Sequence, residues 1–182
     1  MKEIEIKAHL RDRKAVVEKL TSLGCTLGNP VVQKDVVFGK DISSFEAFKN
    51  DSLVLRIRET NSDIIFTLKK RLPGKFESME YETKIDSKDN MTASLLLMGY
   101  KEAVKINKTR TKANYNDFEI CLDQVEELGE FIEIEKLMPD DYTGNLDEEL
   151  YDFLEALNIG REDVTFKKLD EMMFEKKLKN NL

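Results

Sequence analysis

The sequence is poor in the residues on which several common enzyme classes depend. It contains one histidine, His9, and two cysteines, Cys25 and Cys121. The cysteines lack CxxC spacing, so neither a disulfide framework nor a zinc site is indicated, and a reducing cytoplasm is expected. A single histidine offers no acid and base scheme built on imidazole. Glycine-rich phosphate loops of the P-loop or Rossmann kind are also missing.

Long apolar runs and an excess of positive charge are absent as well. No apolar stretch approaches the ~18 residues of a membrane span, and 29 basic against 36 acidic residues give a net charge of −7. This balance argues against binding to duplex nucleic acid or to a membrane surface. We therefore expect a cytoplasmic protein whose partner is a small anion, with no nucleic acid and no membrane.

What the sequence does contain is charge in regular alternation with apolar residues. Glu3, Glu5 and Lys7 alternate with Ile4 and Ile6, so a β-strand places the charges on one face. A solvated surface strand is the simpler interpretation. The same layout, however, recurs with mainly one sign per segment at Arg56 and Arg58, Thr67 and Lys69, Glu80 and Glu82, Lys108 and Arg110, and Glu133 and Glu135. Faces sorted in this way are expected to face one another across a shared site.

The chain shows the order strand, helix, strand, strand, strand twice. Capping and turn residues predict helices after Asp12, after Asp86 or Ser87, and after Asn145 or Asp147, with a last helix within 166–179. The segment 39–52 is predicted to be a loop, Pro73-Gly74 a break, and 115–123 a strand. The repeat suggests two similar halves that close on each other.

These elements predict one domain, 1–182, with residues 173–182 as a tail. The fold class is α+β: a closed antiparallel eight-stranded β-barrel, which leaves no open edges. Because isoleucine and leucine lie opposite the charged residues on each strand, helices must cover the apolar side. The lumen is then the charged side of the sheet.

The residue types on that face indicate chemistry with phosphate and metal. Buried charges are costly unless they are paired or ligated. Carboxylate oxygens suit Mg²⁺ or Mn²⁺, and Arg and Lys suit phosphate oxygens. Cations beside metal-binding carboxylates are typical of a triphosphate site.

Several motifs in order resemble one family. Glu3-Ile4-Glu5-Ile6-Lys7 resembles the ExExK signature of the CYTH superfamily, the triphosphate tunnel metalloenzymes. The remaining motifs follow along the chain: Gln33 to Phe38, Leu55-Arg56-Ile57-Arg58, Thr67-Leu68-Lys69, Glu80-Tyr81-Glu82, Lys108-Thr109-Arg110, and Leu122 to Glu135. The last run is most similar to the CyaB-like branch, which includes class IV adenylyl cyclases; thiamine triphosphatases belong to the same superfamily.

The resemblance implies roles for individual residues. The implied metal residues are Glu3, Glu5, Asp123, Glu133 and Glu135, and the implied triphosphate-binding residues are Lys7, Arg56, Arg58, Lys69, Lys108 and Arg110. Further candidates are Glu80, Glu82, Lys84 and Lys167. For Glu82 and Asp123 the alternative is simple pairing with Lys or Arg, and for Lys84 it is a solvated surface charge. Two ions of Mg²⁺ or Mn²⁺ are expected, one at Glu5 and Glu133 with Glu135 beside them, and one near Glu3.

Three functions remain open at this point. If the ribose 3′-hydroxyl of ATP attacks the α-phosphate, the protein is an adenylyl cyclase, which is the activity we expect. If water attacks the γ-phosphate, it is a triphosphatase for thiamine triphosphate, tripolyphosphate or a nucleoside triphosphate. A non-catalytic binding module fits less well, because acidic groups repel a polyphosphate unless metal is present. A homodimer stays open.

Overall fold

The computed structural model describes residues 2–50, 53–72 and 76–180. Strands and helices alternate along these residues much as the sequence predicts. In chain order they are β1 (Lys2–His9), α1 (Arg13–Ser22), β2 (Val31–Gly39), α2 (Phe45–Asn50), β3 (Leu53–Glu59), β4 (Ile64–Arg71), β5 (Glu77–Lys84), α3 (Lys88–Leu97), β6 (Lys101–Tyr115), β7 (Phe118–Val125), β8 (Gly129–Met138), α4 (Asp147–Ala156), a short 3-10 helix (Arg161–Asp163) and α5 (Leu169–Asn180).

Helices α1 and α3 begin at predicted capping residues. The Asp12 carboxylate accepts a hydrogen bond from the Ala15 amide at 3.0 Å, and the Ser87 hydroxyl accepts one from the Asn90 amide at 3.2 Å. Both satisfy amides that a helix start leaves without an internal partner. Past the other end of α1, Gly24 adopts a φ of 86°, which favours glycine. Both helix predictions are confirmed.

The predicted loop 39–52 is wrong in part, because it contains α2. The Ser44 hydroxyl accepts a hydrogen bond from the Ala47 amide at 3.1 Å, and Phe48 is buried. The Phe48 ring stacks on Phe174 of α5 with centroids 4.6 Å apart. A helix of six residues is too short for a hydrophobic period to be recognised in the sequence. Its stability comes from the contact with α5, which is distant in the chain.

The turn between β6 and β7 also differs from the prediction. Tyr115 ends β6 instead of starting β7, because Asn116 has a φ of 50° and makes the turn. The predicted break at Pro73-Gly74 lies outside the described residues.

The eight strands form a closed, hydrogen-bonded, antiparallel ring in the order β1-β5-β4-β3-β2-β6-β7-β8. In the register between β1 and β8, Glu5 lies opposite Glu135 and Lys7 opposite Glu133. In the register between β7 and β8, Cys121 lies opposite Glu133. The predicted fold class is confirmed, with helices beside the ring and a network of buried charges inside it.

The chain divides into two compact units that do not follow the sequence repeat. The first comprises 1–31, 74–77 and 109–166, and the second comprises 32–73, 78–108 and 167–182. The two copies of the repeat therefore do not coincide with the two compact units. The reason is strand pairing: β1 from the start of the chain pairs with β8 from its second half.

Each unit buries the apolar face of its strands against helices. In the first unit, Ile4 and Ile134 join one core with Leu20 of α1 and Leu150 of α4. In the second, a core forms from Val36, Phe38, Leu55, Ile57 and Leu95. Each fully buried aliphatic side chain contributes about 1.5–3 kcal/mol, so burial of this face fixes the direction of the charged face. No helix in the described ranges has the length and apolar character needed to cross a membrane.

Candidate active site

Strands β1, β7 and β8 bring acidic side chains together within the first unit. Glu5 and Glu119 both lie opposite Glu135, on its two neighbouring strands. Because side chains alternate along each strand, Glu133 and Glu135 share one face with Glu5. Glu5 and Glu133 are buried and Glu135 is half-buried. We call Glu5, Glu133, Glu135 and Asp123, with Lys7 and Arg110, the acidic cluster.

Two cations hold these carboxylates in place. The Lys7 ammonium lies 3.0 Å from Glu5 and 2.9 Å from Glu133. The Arg110 guanidinium donates two hydrogen bonds to Asp123, at 2.7 and 2.6 Å, and a third to Glu133. Arg110 lies on β6 and Asp123 lies on β7, and these two strands are neighbours in the ring. Six of the predicted metal and phosphate residues of this unit, Lys7, Arg110, Glu5, Asp123, Glu133 and Glu135, thus form one connected network.

The network keeps its cations charged. Burial by itself lowers the pKa of Lys7, but the charges of Glu133 and Glu5 outweigh it and raise that pKa. The same balance of burial against Glu133 and Asp123 raises the pKa of Arg110. Neither group serves as a proton donor or acceptor near neutral pH, so both act as fixed positive charges.

The carboxylates fit a hard divalent cation. Single oxygens of Glu5, Glu133 and Glu135 lie within 4.8 Å of one another. An all-oxygen set of this kind suits Mg²⁺ or Mn²⁺. Lys7 and Arg110 already hold these carboxylates close together. The donor set therefore agrees with the predicted metal.

A second group shares Glu135 and adds a thiol. Ligand atoms of Glu119, Cys121 and Glu135 also lie within 4.8 Å of one another. The single hydrogen of the Cys121 thiol has two acceptors within reach, Glu119 and Glu135, with sulfur to oxygen distances of 3.7 and 4.0 Å. Burial raises the pKa of Cys121. The charge of Arg110 lowers this pKa, and the charges of Glu135 and Glu133 raise it further. The thiol therefore stays protonated.

Two predicted metal residues, Glu3 and Asp123, do not join the triad of Glu5, Glu133 and Glu135. Asp123 is fully buried and bound by Arg110. Glu3 is buried on β1, opposite Leu137. Among the described residues, neither belongs to a group whose ligand atoms lie within 4.8 Å of one another.

The second unit contains a more exposed charged group, which we call the arginine cluster: Arg56, Lys69, Glu80, Glu82 and Thr67. The Arg56 guanidinium donates to Glu80 at 2.9 Å, to Glu82 at 3.2 Å and to the Thr67 hydroxyl at 3.1 Å. Lys69 lies 3.2 Å from Glu80. The predicted residues Arg56, Lys69, Glu80 and Glu82 are thus brought together, because Arg56 lies opposite Thr67, and Thr67 opposite Glu82.

Arg58 lies on the same strand as Arg56 but is bound by a different carboxylate. Its guanidinium donates two hydrogen bonds to Asp35, both at 2.8 Å. Burial opposes ionisation of Asp35, but the hydrogen bonds and charge of Arg58, helped by Arg56 and Lys108, lower its pKa. Lys108 itself is buried on β6. The planar two-bond geometry fixes the Arg58 side chain.

The remaining candidates lie near the surface. Lys84 is exposed and pairs with Asp63 at 2.7 Å, and Lys167 pairs with Glu175 at 2.7 Å. These pairs resemble ordinary surface ion pairs.

Sequence reasoning gave no role to Asp35, Glu119 or Cys121. A signal was present, since Asp35 lies in the Gln33 to Phe38 motif and Glu119 and Cys121 precede Asp123 at alternate positions. The period of two along the strand places these residues on the same face as Asp123.

Comparison with known proteins gives a consistent family. The sequence profile of the CYTH domain matches residues 1–166. A protein of Methanocaldococcus jannaschii, named as a proposed adenylate cyclase, is 33% identical over 94% of this chain and 98% of its own.

Solved structures show the same fold. The PH1819 protein of Pyrococcus horikoshii has a TM-score of 0.76 and 28% identity, with 96% of this chain and 99% of that chain covered. A Hippeastrum protein, named as a proposed adenylyl cyclase with a dominant triphosphatase activity, has a TM-score of 0.62 and 17% identity, with 96% of each chain covered. From the profile match and the Methanocaldococcus relative, this chain belongs to the CYTH family of metal-dependent enzymes that bind triphosphate substrates.

Proposed function

We propose that this protein is an adenylyl cyclase that converts ATP into cyclic AMP and pyrophosphate with Mg²⁺ or Mn²⁺. The observation that carries the proposal is the acidic cluster, where three carboxylates suited to a divalent ion lie beside two permanently charged cations. The relative from Methanocaldococcus, similar over almost the whole chain, supports the choice of cyclase.

In this proposal Glu5, Glu133 and Glu135 hold one ion, and Glu3 contributes to a second. Bound there, the ions would lower the pKa of an attacking hydroxyl and neutralise phosphate charge. The oxygens of Glu5, Glu133 and Glu135 lie within 4.8 Å of one another in the structure. Lys7 and Arg110 keep these carboxylates close together, so little reorganisation is needed before an ion binds.

The basic residues supply the remaining electrostatics. When the 3′-oxygen attacks the α-phosphorus, it loses its proton, and the bond from phosphorus to the bridging oxygen of the pyrophosphate breaks. Negative charge then grows on the leaving pyrophosphate. We assign the stabilisation of that charge to Lys7, Arg56, Arg58, Lys69, Lys108 and Arg110. Carboxylates such as Asp35 and Glu80 hold the arginines and Lys69 in position meanwhile.

A triphosphatase is the second candidate function. It needs the same metal and the same cations, and differs only in that water attacks the γ-phosphorus. A protein of the same fold from Hippeastrum is named with that activity, and thiamine triphosphate, tripolyphosphate and nucleoside triphosphates are the substrates to compare.

The test is to identify the products. Purified protein is incubated with ATP and Mn²⁺ or Mg²⁺, with thiamine triphosphate and tripolyphosphate in parallel, and the products are separated by chromatography. We expect cyclic AMP and pyrophosphate in equal amounts, most rapidly at alkaline pH where the ribose hydroxyl loses its proton more easily. Removal of metal with EDTA should abolish turnover.

Other products would decide among the alternatives. Orthophosphate without cyclic AMP would replace the cyclase by a triphosphatase. Tight binding of every triphosphate without turnover would leave only a binding module.

A further inference from the structure

A cavity of about 730 Å³ lies in the first unit where β6, β7 and β8 approach the turn at Asn116. Its lining includes Glu119 of β7, Asn114 of β6, and Glu135, Leu137 and Met138 of β8. Asn114 and Leu137 are exposed, so the cavity opens to solvent. Its volume falls within the usual range for small-molecule sites, about 300–1,000 Å³.

The cavity adjoins the acidic cluster through a shared residue. Glu135 lines the cavity and also belongs to the triad with Glu5 and Glu133. A ligand in the cavity can therefore continue directly into the proposed metal site.

An apolar side chain extends the charged face of β8 into the cavity. Glu133, Glu135 and Leu137 alternate along the strand and share one face. Leu137 lies opposite Glu3 of β1, and 59% of its surface is exposed. A leucine that is this exposed contributes little to the packing of the core. Its apolar side chain, in line with Glu133 and Glu135, can pack against the face of an aromatic ring.

The row on β6 changes in the same direction. Arg110, Lys112 and Asn114 alternate along one face, and Lys112 pairs with Glu119, which lines the cavity. The residues on this face thus change from charged to a neutral amide towards the cavity. A nucleoside triphosphate changes in the same way, from charged phosphates through a ribose to a neutral base.

Asn114 and Asn116 differ in what the backbone demands of them. Asn116 has a φ of 50°, so the turn accounts for its identity. Asn114 lies within β6, where the backbone makes no such demand. Its amide carries donors and an acceptor, as recognition of the edge of a base requires.

We propose that this cavity is the site for the nucleobase of a nucleoside triphosphate. Leu137 packs against the face of the base and Asn114 hydrogen-bonds its edge, with the ribose beside Glu135. The assignment rests on the proposed function, and it makes the preferred substrate a nucleotide and not an inorganic triphosphate.

The experiment compares two ligands that share the phosphates and differ in the base. Dissociation constants for α,β-methylene-ATP and for tripolyphosphate are measured by calorimetry with Mg²⁺. We expect Leu137→Ala to weaken the ATP analogue by about tenfold relative to tripolyphosphate, and Asn114→Ala by about fivefold. Leu97→Ala removes an equal side chain that is 89% exposed on α3 and should leave both constants unchanged.

Each result decides between the two levels of the proposal. An unchanged ratio in both cavity variants overturns the base site while the triphosphate function stands. An equal loss for both ligands also overturns it, because the cavity would then affect the phosphates. If the unmodified protein binds neither ligand, the proposed function fails together with the base site.

Discussion

The acidic cluster and the arginine cluster use the same residue types in different proportions and at different depths. Around Glu133, four carboxylates meet two cations, and the Lys7 side chain is 6% exposed. Around Arg56, two carboxylates meet two cations, and the Arg56 side chain is 21% exposed. The carboxylate oxygens of the first cluster are placed so that they could hold a metal. In the second, an anion that binds Arg56 must displace the carboxylates of Glu80 and Glu82.

The largest expected effect comes from Glu133→Gln. The amide keeps the shape of the side chain but loses its charge, and Lys7 and Arg110 both lose an anionic partner. Turnover should fall more than about 100-fold, since even changes beyond the direct ligands of a metal cost about 10–100-fold. Initial rates and a Mn²⁺ binding titration measure the effect.

Glu82→Gln is the matched control for that variant. Glu82 is a partner of Arg56 in the arginine cluster, with a half-exposed side chain. If Glu133→Gln and Glu82→Gln lose Mn²⁺ affinity equally, the assignment of the metal to the acidic cluster alone is wrong. Circular dichroism confirms that each variant is folded.

Next in size is the stability effect of Asp35→Asn. This change leaves the Arg58 guanidinium buried without its carboxylate. Breaking a buried pair in this way costs about 3–5 kcal/mol in the free energy of unfolding. Urea unfolding measures the loss, and Asp63→Asn, in a pair whose lysine side chain is 75% exposed, should leave the midpoint unchanged. If Asp35→Asn and Asp63→Asn have the same urea midpoint, the ion pair between Asp35 and Arg58 does not stabilise the fold.

The same pair predicts a direction for acid unfolding. Since the pKa of Asp35 is lowered in the folded protein, its ionised form stabilises the fold above the unfolded pKa of about 3.9. That stability is lost as the pH falls through the lower, folded value. Stability measured between pH 5 and pH 2 should therefore fall less steeply in Asp35→Asn than in the unmodified protein.

Much of this arrangement could be predicted because a strand has a period of two. Ile4 and Ile6 against Glu5 and Lys7 determine which face is buried, whatever the neighbouring strands are. The partners could not be predicted. That Lys7 meets Glu133 follows from the register of β1 on β8, two segments at distant positions in the chain.

The incorrect prediction for α2 and the missing role of Asp35 have the same physical origin, because both depend on contacts between segments that are distant in the chain. Helix α2 depends on the stacking of Phe48 on Phe174, which no local pattern reveals. Asp35 has an obvious position on its strand, but its role exists only because β2 and β3 place it opposite Arg58.

In the arginine cluster we expect a moderate effect on binding from Arg56→Ala. Hydrogen bonds between charged groups are worth about 1.5–3 kcal/mol, but Arg56 must exchange Glu80 and Glu82 for phosphate, so tripolyphosphate should bind about tenfold more weakly. Calorimetry at two salt concentrations measures this loss. The comparison sharpens if Glu82→Gln binds tripolyphosphate more tightly, because a competing anion is gone. Unchanged affinity in both variants would place the phosphates elsewhere.

The smallest effect is expected from Lys84→Ala. Lys84 follows Glu80 and Glu82 along the same face of β5, but its side chain is 75% exposed and pairs with Asp63 at the surface. Water and salt screen a charge in that position, so tripolyphosphate affinity should fall by no more than about twofold. The measurement is the same calorimetric titration used for Arg56→Ala. A loss as large as that of Arg56→Ala would extend the arginine cluster to the end of β5 and contradict the division between buried and exposed charge.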